Sequence, residues 1–524
     1  MVLFMLSVRD PSLDSQPVLL RPSFIVPALI LQCIISIRPA LAEENGGQES
    51  QGGSFIEGTH KVLEKAGEAP KEVHKYTMEK LKRAQTTPWR ETADQILIND
   101  SQVRWNRYIV ALTNAPRWLD VGLHHRMRYE NLTNNFRQGL PSDVDGGAFR
   151  TRLRFGLDWK MFRFFAEAQN SSDVGTSSAL LGTINSSLFD QDRLLQAFIA
   201  IRLDNLFGAG LRADLHVGRM TFDFGSRRLI ARNEFRNTTN TFNAVHWNLA
   251  QAQDWRIRAF IGKPVSDTFG VLVPVRDTLF WGTQYETRQH PWLNLDLYYF
   301  GINGGQNVDE ERRFGTYGLR VFRYAAPGWW DYETEAAFQA GTKTGRDHFA
   351  HFEHAELGYT FNVPWRPRVA LQYDYASGTV DPNGQSNQTF DTLFGARRFE
   401  YNPTGVFGPF FRSNISSPGV RAGFQPRADT SVSLKYRAWY LAQAKDAWVG
   451  SGLQDPTGAS GNFLGQDLEL RVSWQWITDP RLIEIEVGYD YFFKGSYVQR
   501  QAEIPGNPSA QNSEFFYIQT EMRF

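Results

Sequence analysis

Residues 148–160 read AFRTRLRFGLDWK, in which Phe149, Leu153, Phe155, Leu157 and Trp159 alternate with Arg150, Arg152, Arg154, Asp158 and Lys160. Successive side chains of a strand point to opposite faces. The segment therefore predicts a strand with large apolar groups on one side and a row of arginines on the other. A half-buried strand of a soluble β-sandwich alternates too, and this segment alone does not separate the two readings. In a membrane, the wet interior open to a strand is the lumen of a closed barrel. Repetition along the chain and its composition have to decide.

Arg9 and Arg21 precede an apolar run at 24–37, followed by Ala40-Leu41-Ala42 and then Glu43-Glu44. A basic start, a short apolar segment and small residues at a cut site predict a secretory signal peptide over 1–42, cleaved after Ala42. An uncleaved anchor is the alternative. The single cysteine, Cys33, lies inside that peptide, so the exported chain is expected to form neither disulfides nor cysteine metal sites. Lysine plus arginine and aspartate plus glutamate are balanced at 56 each, which gives no basis for a nucleic-acid partner. Aromatic residues make up 14% of the chain. Nothing after Ala42 offers the roughly 20 consecutive apolar residues of a spanning helix. A helical membrane protein is excluded, whereas a barrel, whose apolar residues are diluted one in two, is not.

Residues 43–58 are rich in Gly, Gln and Glu, and 59–84 hold helix formers interrupted by Pro70. Together 43–112 are expected to form a periplasmic extension, flexible then helical, that flanks the pore entrance or serves as a solvated spacer. Over 113–524 the alternation recurs. In 117–130, Leu119, Val121, Leu123, Met127 and Tyr129 oppose Asp120, His124, Arg126, Arg128 and Glu130. Counting such segments predicts an all-β, antiparallel, up-and-down transmembrane barrel of about 18 strands, monomeric and set in outer-membrane lipid. An even count of this size implies a pore rather than a filled interior. The last stretch, EFFYIQTEMRF at 514–524, resembles the terminal recognition signal of bacterial outer-membrane barrels, which implies that the barrel-assembly machinery reads Phe524.

Lipid-facing alternation leaves two regions unexplained. The first, GRMTFDFGSRRLIARNEFR at 218–236, carries Gly218-Arg219, Phe224-Gly225 and Arg228-Leu229 before an asparagine-rich approach to Trp247. The second, 390–423, carries Asp391-Thr392-Leu393-Phe394 and Asn414-Ile415. With Gly465-Gln466-Asp467-Leu468-Glu469-Leu470 and Gly488-Tyr489-Asp490-Tyr491-Phe492-Phe493, these resemble the alginate export family of outer-membrane proteins over 119–524, leaving out 43–115. The resemblance implies a passive exporter of an anionic polysaccharide, with periplasmic export partners and no cofactor.

The phase of alternation places arginines inward in the early strands, including Arg126, Arg128, Arg150, Arg152, Arg154, Arg256 and Arg258. It places acids inward later, including Glu333, Glu335, Glu356, Asp467, Glu469, Glu486 and Asp490. A rail of guanidiniums can hold successive carboxylates by charge-assisted pairs weak enough in water to release. The expected selectivity residues are Arg152, Arg154, Arg219, Arg228, Arg232, Arg258 and Arg437, with Asp223, Glu469 and Glu486 as opposing acids. Arg219 rests on its Gly218-Arg219 context in the resemblance. For any single arginine, the competing role is a brace between strands. Residues 380–388 are mostly neutral, where a dedicated alginate exporter is expected to carry more loop charge, so small anions stay open as cargo of an anion-selective porin.

Enzymatic readings have less support. His348, His351 and His354 are spaced for a helix rather than the strand expected there, so no metal site is assigned. No Gly-x-Ser-x-Gly elbow marks a nucleophile, which leaves an outer-membrane hydrolase as a minor alternative.

Overall fold

A computed structural model describes residues 116 and 118–523, apart from 176–189, 252–253, 269–270, 275–277, 289, 291, 306–310 and 478–481. The expected signal peptide, the 43–112 extension and Phe524 lie outside the described residues. The strands are Leu119–Thr133 (β1), Val144–Trp159 (β2), Phe162–Gly175 (β3), Asp190–Leu206 (β4), Leu211–Met220 (β5), Phe242–Gln251 (β6) and Trp255–Thr268 (β7). Val271–Pro274 (β8), Leu279–Thr287 (β9), Asn294–Gly304 (β10), Arg312–Arg323 (β11), Trp329–Lys343 (β12), Arg346–Thr360 (β13) and Arg368–Ala376 (β14) follow. Ser386–Asn387 (β15), Ile415–Arg427 (β16), Thr430–Tyr440 (β17), Phe463–Ile477 (β18), Leu482–Lys494 (β19) and Ser513–Arg523 (β20) complete them among the described residues, which also hold one short helix, Ser496–Gln501 (α1).

Two strands stand apart from the wall: β8 folds back onto β7, and β15 lies parallel to β13. The others form a closed antiparallel barrel of 18 strands, sealed where β1 pairs with β20 from His124↔Arg523 to Thr133↔Glu514. Closure satisfies every backbone edge, which lipid requires. The quoted segment falls in β2 as expected: Arg150 and Arg152 are buried on the inner face, and Leu153, Phe155 and Trp159 are exposed on the outer one.

Connections are short at the end where β1 begins and β20 stops, as in the two residues between β2 and β3. They are long at the other end, where 221–241, 377–414 and 441–462 join strands. Short turns face the periplasm and long loops the exterior in such barrels. Trp118, Trp159, Trp292, Trp329, Trp330, Trp365 and Trp476 are exposed beside the short turns, forming the interfacial girdle expected at a membrane boundary. The buried apolar cluster sits inside the barrel, where Phe222, Phe224 and Ile230 of one long loop meet Phe260, Phe280 and Phe300 of the wall.

Candidate functional site

The first wall of the lumen is basic. Arg126 of β1 stands directly across from Arg150 of β2, and His124 across from Arg152. Like charges facing one another across a strand pair repel, so this wall needs acceptors. Loop 221–241, between β5 and β6, supplies them by folding inward. Arg126 donates to the carbonyls of Glu234 and Phe235 at 2.8 and 2.9 Å and to the side chain of Asn237 at 2.9 Å. Arg128 donates to Phe235 O at 2.6 Å, and its guanidinium lies 4.2 Å from that ring's centroid. Arg150 donates to the carbonyls of Glu234 and Arg236 at 2.7 and 2.9 Å. Arg152 bonds the Glu234 carboxylate and Thr239 Oγ1, both at 2.6 Å. Arg232 grips the same Glu234 from within the loop at 2.7 Å and Glu167 of β3 at 2.6 Å. Burial would raise the Glu234 carboxyl, but Arg152, Arg232 and Arg150 hold it well below the usual carboxylate range. Its side chain still keeps 37% of its surface, while those of Arg150 and Arg152 keep 1% and 4%.

The other flank of this loop docks through rings. Phe222 stacks on Phe242 at 5.1 Å and tilts against Phe260 at 4.9 Å, and Phe224 meets Phe260 at 5.1 Å and Phe300 at 5.9 Å. Aromatic pairs at such separations contribute about 0.5–1.5 kcal/mol each beyond the area they bury. Arg258 of β7 closes this side: its guanidinium lies 4.0 Å from the Phe224 ring centroid, donates to Asp223 O at 2.6 Å and pairs with Glu286 at 2.5 Å.

A second loop, 377–414, enters from the acidic side and meets the first. Phe394 N donates to Leu229 O at 2.9 Å, Ala231 N to Phe394 O at 3.1 Å and Ala396 N to Arg227 O at 2.9 Å, a parallel junction centred on Ile230↔Phe394. Gly395 makes this approach feasible, since a Cβ there would stand 1.8 Å from Arg228 O. At the junction Arg228 pairs with Glu333 and Glu335 of β12, at 2.6 and 2.5 Å, and with Glu400 of the second loop. Arg412 also holds Glu400, at 2.5 Å. Arg398 and Lys435 share Glu469 at 2.6 and 2.5 Å, and Asn402 donates to Asp467 and Asp490 at 2.9 and 2.5 Å.

The expected set is thus divided. Arg152, Arg154, Arg258 and Arg437 face inward from strands, and Arg228 and Arg232 reach the interior from the first loop. None of these forms an open rail: Arg154 pairs with Asp120 at 3.1 Å and Arg437 with Asp374 at 2.6 Å. The expectation of guanidiniums lining water is corrected: strand acids pair Arg154, Arg258 and Arg437, and the first long loop covers Arg152. Asp223 accepts from Arg232 N at 3.0 Å, and Glu486 accepts from Tyr517 Oη at 2.6 Å. Arg219 is placed elsewhere. It shares the outward phase of β5 with Leu215 and Val217, both exposed, so it lies on the outer wall rather than at a constriction.

Sequence reasoning gave no role to Glu234, Asn237, Glu400, Arg398 or Arg412. The signal was the length of both loops combined with their alternating Arg and Glu. His354 joins Asp374 and Glu400 rather than His348 and His351, with ligand-capable atoms within 4.8 Å of one another. Arg228, Arg412 and Arg437 already bond these carboxylates, a setting that repels a metal cation.

A family model described as alginate export matches residues 117–508. Among solved structures, the chain is similar to Pseudomonas aeruginosa OccD3 (OpdP), at 11% identity and a TM-score of 0.51, covering 78% of this chain and 91% of that one. It is also similar to the outer membrane protein opdK from Pseudomonas aeruginosa, at 10% identity and a TM-score of 0.53, covering 77% and 98%. At such identities the likeness speaks for the fold. No match was found among curated proteins.

Proposed function

The chain belongs to the alginate export family, and from that premise we propose that this outer-membrane channel exports an anionic, alginate-like polysaccharide past its basic lumen wall. The observation that carries the reading is Glu234, a carboxylate with part of its surface open, seated on guanidiniums that are otherwise buried. It occupies the place a uronate carboxylate of the cargo would take. Arriving carboxylates would replace Glu234 and the loop carbonyls on Arg126, Arg150 and Arg152, and the loop's polar flank would swing aside. Pairs between partly solvated charges are worth on the order of 1 kcal/mol, so each residue of the polymer can release to the next. In this reading Arg152 and Arg232 meet cargo, while Arg154, Arg228, Arg258 and Arg437 brace the wall and loops. Residues 43–112 would then stand in the periplasm, where export partners would meet them.

A second reading, a porin for small anions, is favoured by the inward folding of both long loops, which narrows the lumen. Planar-bilayer recordings separate the two. Both predict a reversal potential that favours chloride over potassium, but block from one side by oligouronates is expected of the polymer exporter alone. If Arg150→Ala with Arg152→Ala leaves that block unchanged, the assignment of the basic wall fails.

A further inference from the structure

Three arginines on three different loops stand together without an acid. Arg137 lies between β1 and β2, Arg236 in loop 221–241 and Arg397 in loop 377–414, all at the end with the long connections. Arg137 Nη1 donates to Val406 O at 2.8 Å and its Nη2 to Phe407 O, while Arg397 Nη1 donates to Phe410 O at 2.8 Å. Both guanidiniums therefore hold one turn, 406–410. Arg236 joins them through Asn240: its Nη2 donates to Asn240 Oδ1 at 3.0 Å, and Asn240 Nδ2 donates to Phe394 O at 2.9 Å, three residues before Arg397.

Every acceptor in this group is a neutral oxygen. Arg412, which also repels Arg397, has Glu400 at 2.5 Å. Among the described residues, Arg137, Arg236 and Arg397 bond amide and carbonyl oxygens and no carboxylate. Burial with nothing to offset it pulls Arg137 down to about 9 and Arg236 to about 10, and burial with the repulsion of Arg236 and Arg137 holds Arg397 well below the usual arginine range. Buried charges in folded proteins are paired, so this group carries positive charge that the protein itself does not neutralise. Donors also remain. Arg236 Nε is buried and makes no hydrogen bond. Arg397 lies 3.4 Å from the Phe411 ring centroid, which covers a face of the guanidinium and leaves the donors on its edge, where Nη1 alone is bonded among the described residues. Arg236 and Arg397 are both half-buried and so reachable from water.

We propose that Arg137, Arg236 and Arg397 form a second carboxylate site among the exterior loops, which receives a uronate of the cargo beyond the wall of Arg126, Arg150 and Arg152. The inference rests on the export reading and adds a later stop to it. Residue 236 links the two sites: its carbonyl caps Arg126 and Arg150, at 3.2 and 2.9 Å, while its side chain belongs to the cluster. A carboxylate offers two oxygens to a guanidinium fork, and its charge offsets the mutual repulsion of the three. An uncharged sugar does neither.

The full-length protein in planar bilayers is to be blocked by a short oligomannuronate added on the loop side. Arg236→Gln with Arg397→Gln is expected to raise the half-blocking concentration about tenfold, the scale of losing charge-assisted contacts. Arg236→Gln alone gives up a single bond, to Asn240, and is expected to raise it about threefold, which keeps the test decisive if freeing turn 406–410 disturbs the fold. The methyl-esterified oligomer is expected not to block the parent. An unchanged value in Arg236→Gln overturns the site, and the export reading survives that result if Arg150→Ala with Arg152→Ala still weakens the block. Equal block by the methyl ester overturns the carboxylate as the ligand. A parent that the oligomannuronate does not block overturns the export reading and this site with it.

Discussion

Loop 221–241 touches the barrel on two flanks, and the two are built from different chemistry. Toward β1 and β2, residues 234–237 are gripped by Arg126, Arg128, Arg150 and Arg152, mostly through backbone carbonyls. Toward β6 to β10, residues 222–230 are held by Phe242, Phe260, Phe280 and Phe300. A guanidinium exchanges one anion or carbonyl for another with little net loss, because the replacement restores its hydrogen bonds. A buried ring has no such substitute, and leaving its neighbours exposes apolar surface. Under the export reading, the polar flank is the one that would let go and the aromatic flank the one that would stay, a free edge and a hinge edge.

The largest effect is expected where the two loops join. Arg228→Met removes the cation that Glu333, Glu335 and Glu400 share, leaving them to Arg320, Tyr298 and Arg412, and removing one partner of a buried ion pair costs about 3–5 kcal/mol. Urea unfolding of the barrel in lipid vesicles should show the loss, and an unchanged midpoint would mean that the junction holds by its backbone bonds alone. Next is the hinge. Phe280, fully buried and 4.9 Å from Phe394, should cost about 3 kcal/mol or more on truncation to alanine. Hydrogen exchange should then accelerate over 222–230. Acceleration confined to 234–237 would reverse the roles of the two flanks.

Glu234→Gln is expected to cost only about 1 kcal/mol, since the carboxylate is partly solvated. It should loosen 232–240 alone and raise open-channel conductance, with high salt mimicking it. Smallest is the response to mild acid. A carboxyl held below its usual range stabilises the docked loop at all pH values above that range, and the contribution is lost as pH falls toward the depressed value. Protection over 232–240, taken relative to the intrinsic exchange rate at each pH, should therefore match at pH 7 and pH 5 (about where free carboxyls start to protonate) and drop only in stronger acid. Loosening already at pH 5 would show that the arginines do not hold Glu234 charged.

The wall was readable because a period of two commits every side chain to a face. In β2 the inner arginines and outer Leu153 and Phe155 follow from that alone. Carried one step further along β5, the same rule would have put Arg219 outward with Leu215 and Val217; the expectation instead followed its Gly218-Arg219 context in the family resemblance and put it at the lumen. Alternation says which way a residue points and nothing about what it meets. That is why Arg150 reads as a lining residue but proves to be capped by Glu234 O. The partners come from loops more than 80 positions away, whose docking no local pattern encodes. The knot of His354, Asp374 and Glu400 was hidden for the same reason, since it joins two strands to a loop.

Gly395 turns the meeting of the two loops into a fit with no slack. Because Arg228 O stands where a methyl carbon would go, one added carbon atom is enough to force the seam apart without replacing any charge or ring. The least chemical change available in the chain is thus also a wedge, driven between two loops at the one point where they leave it no room.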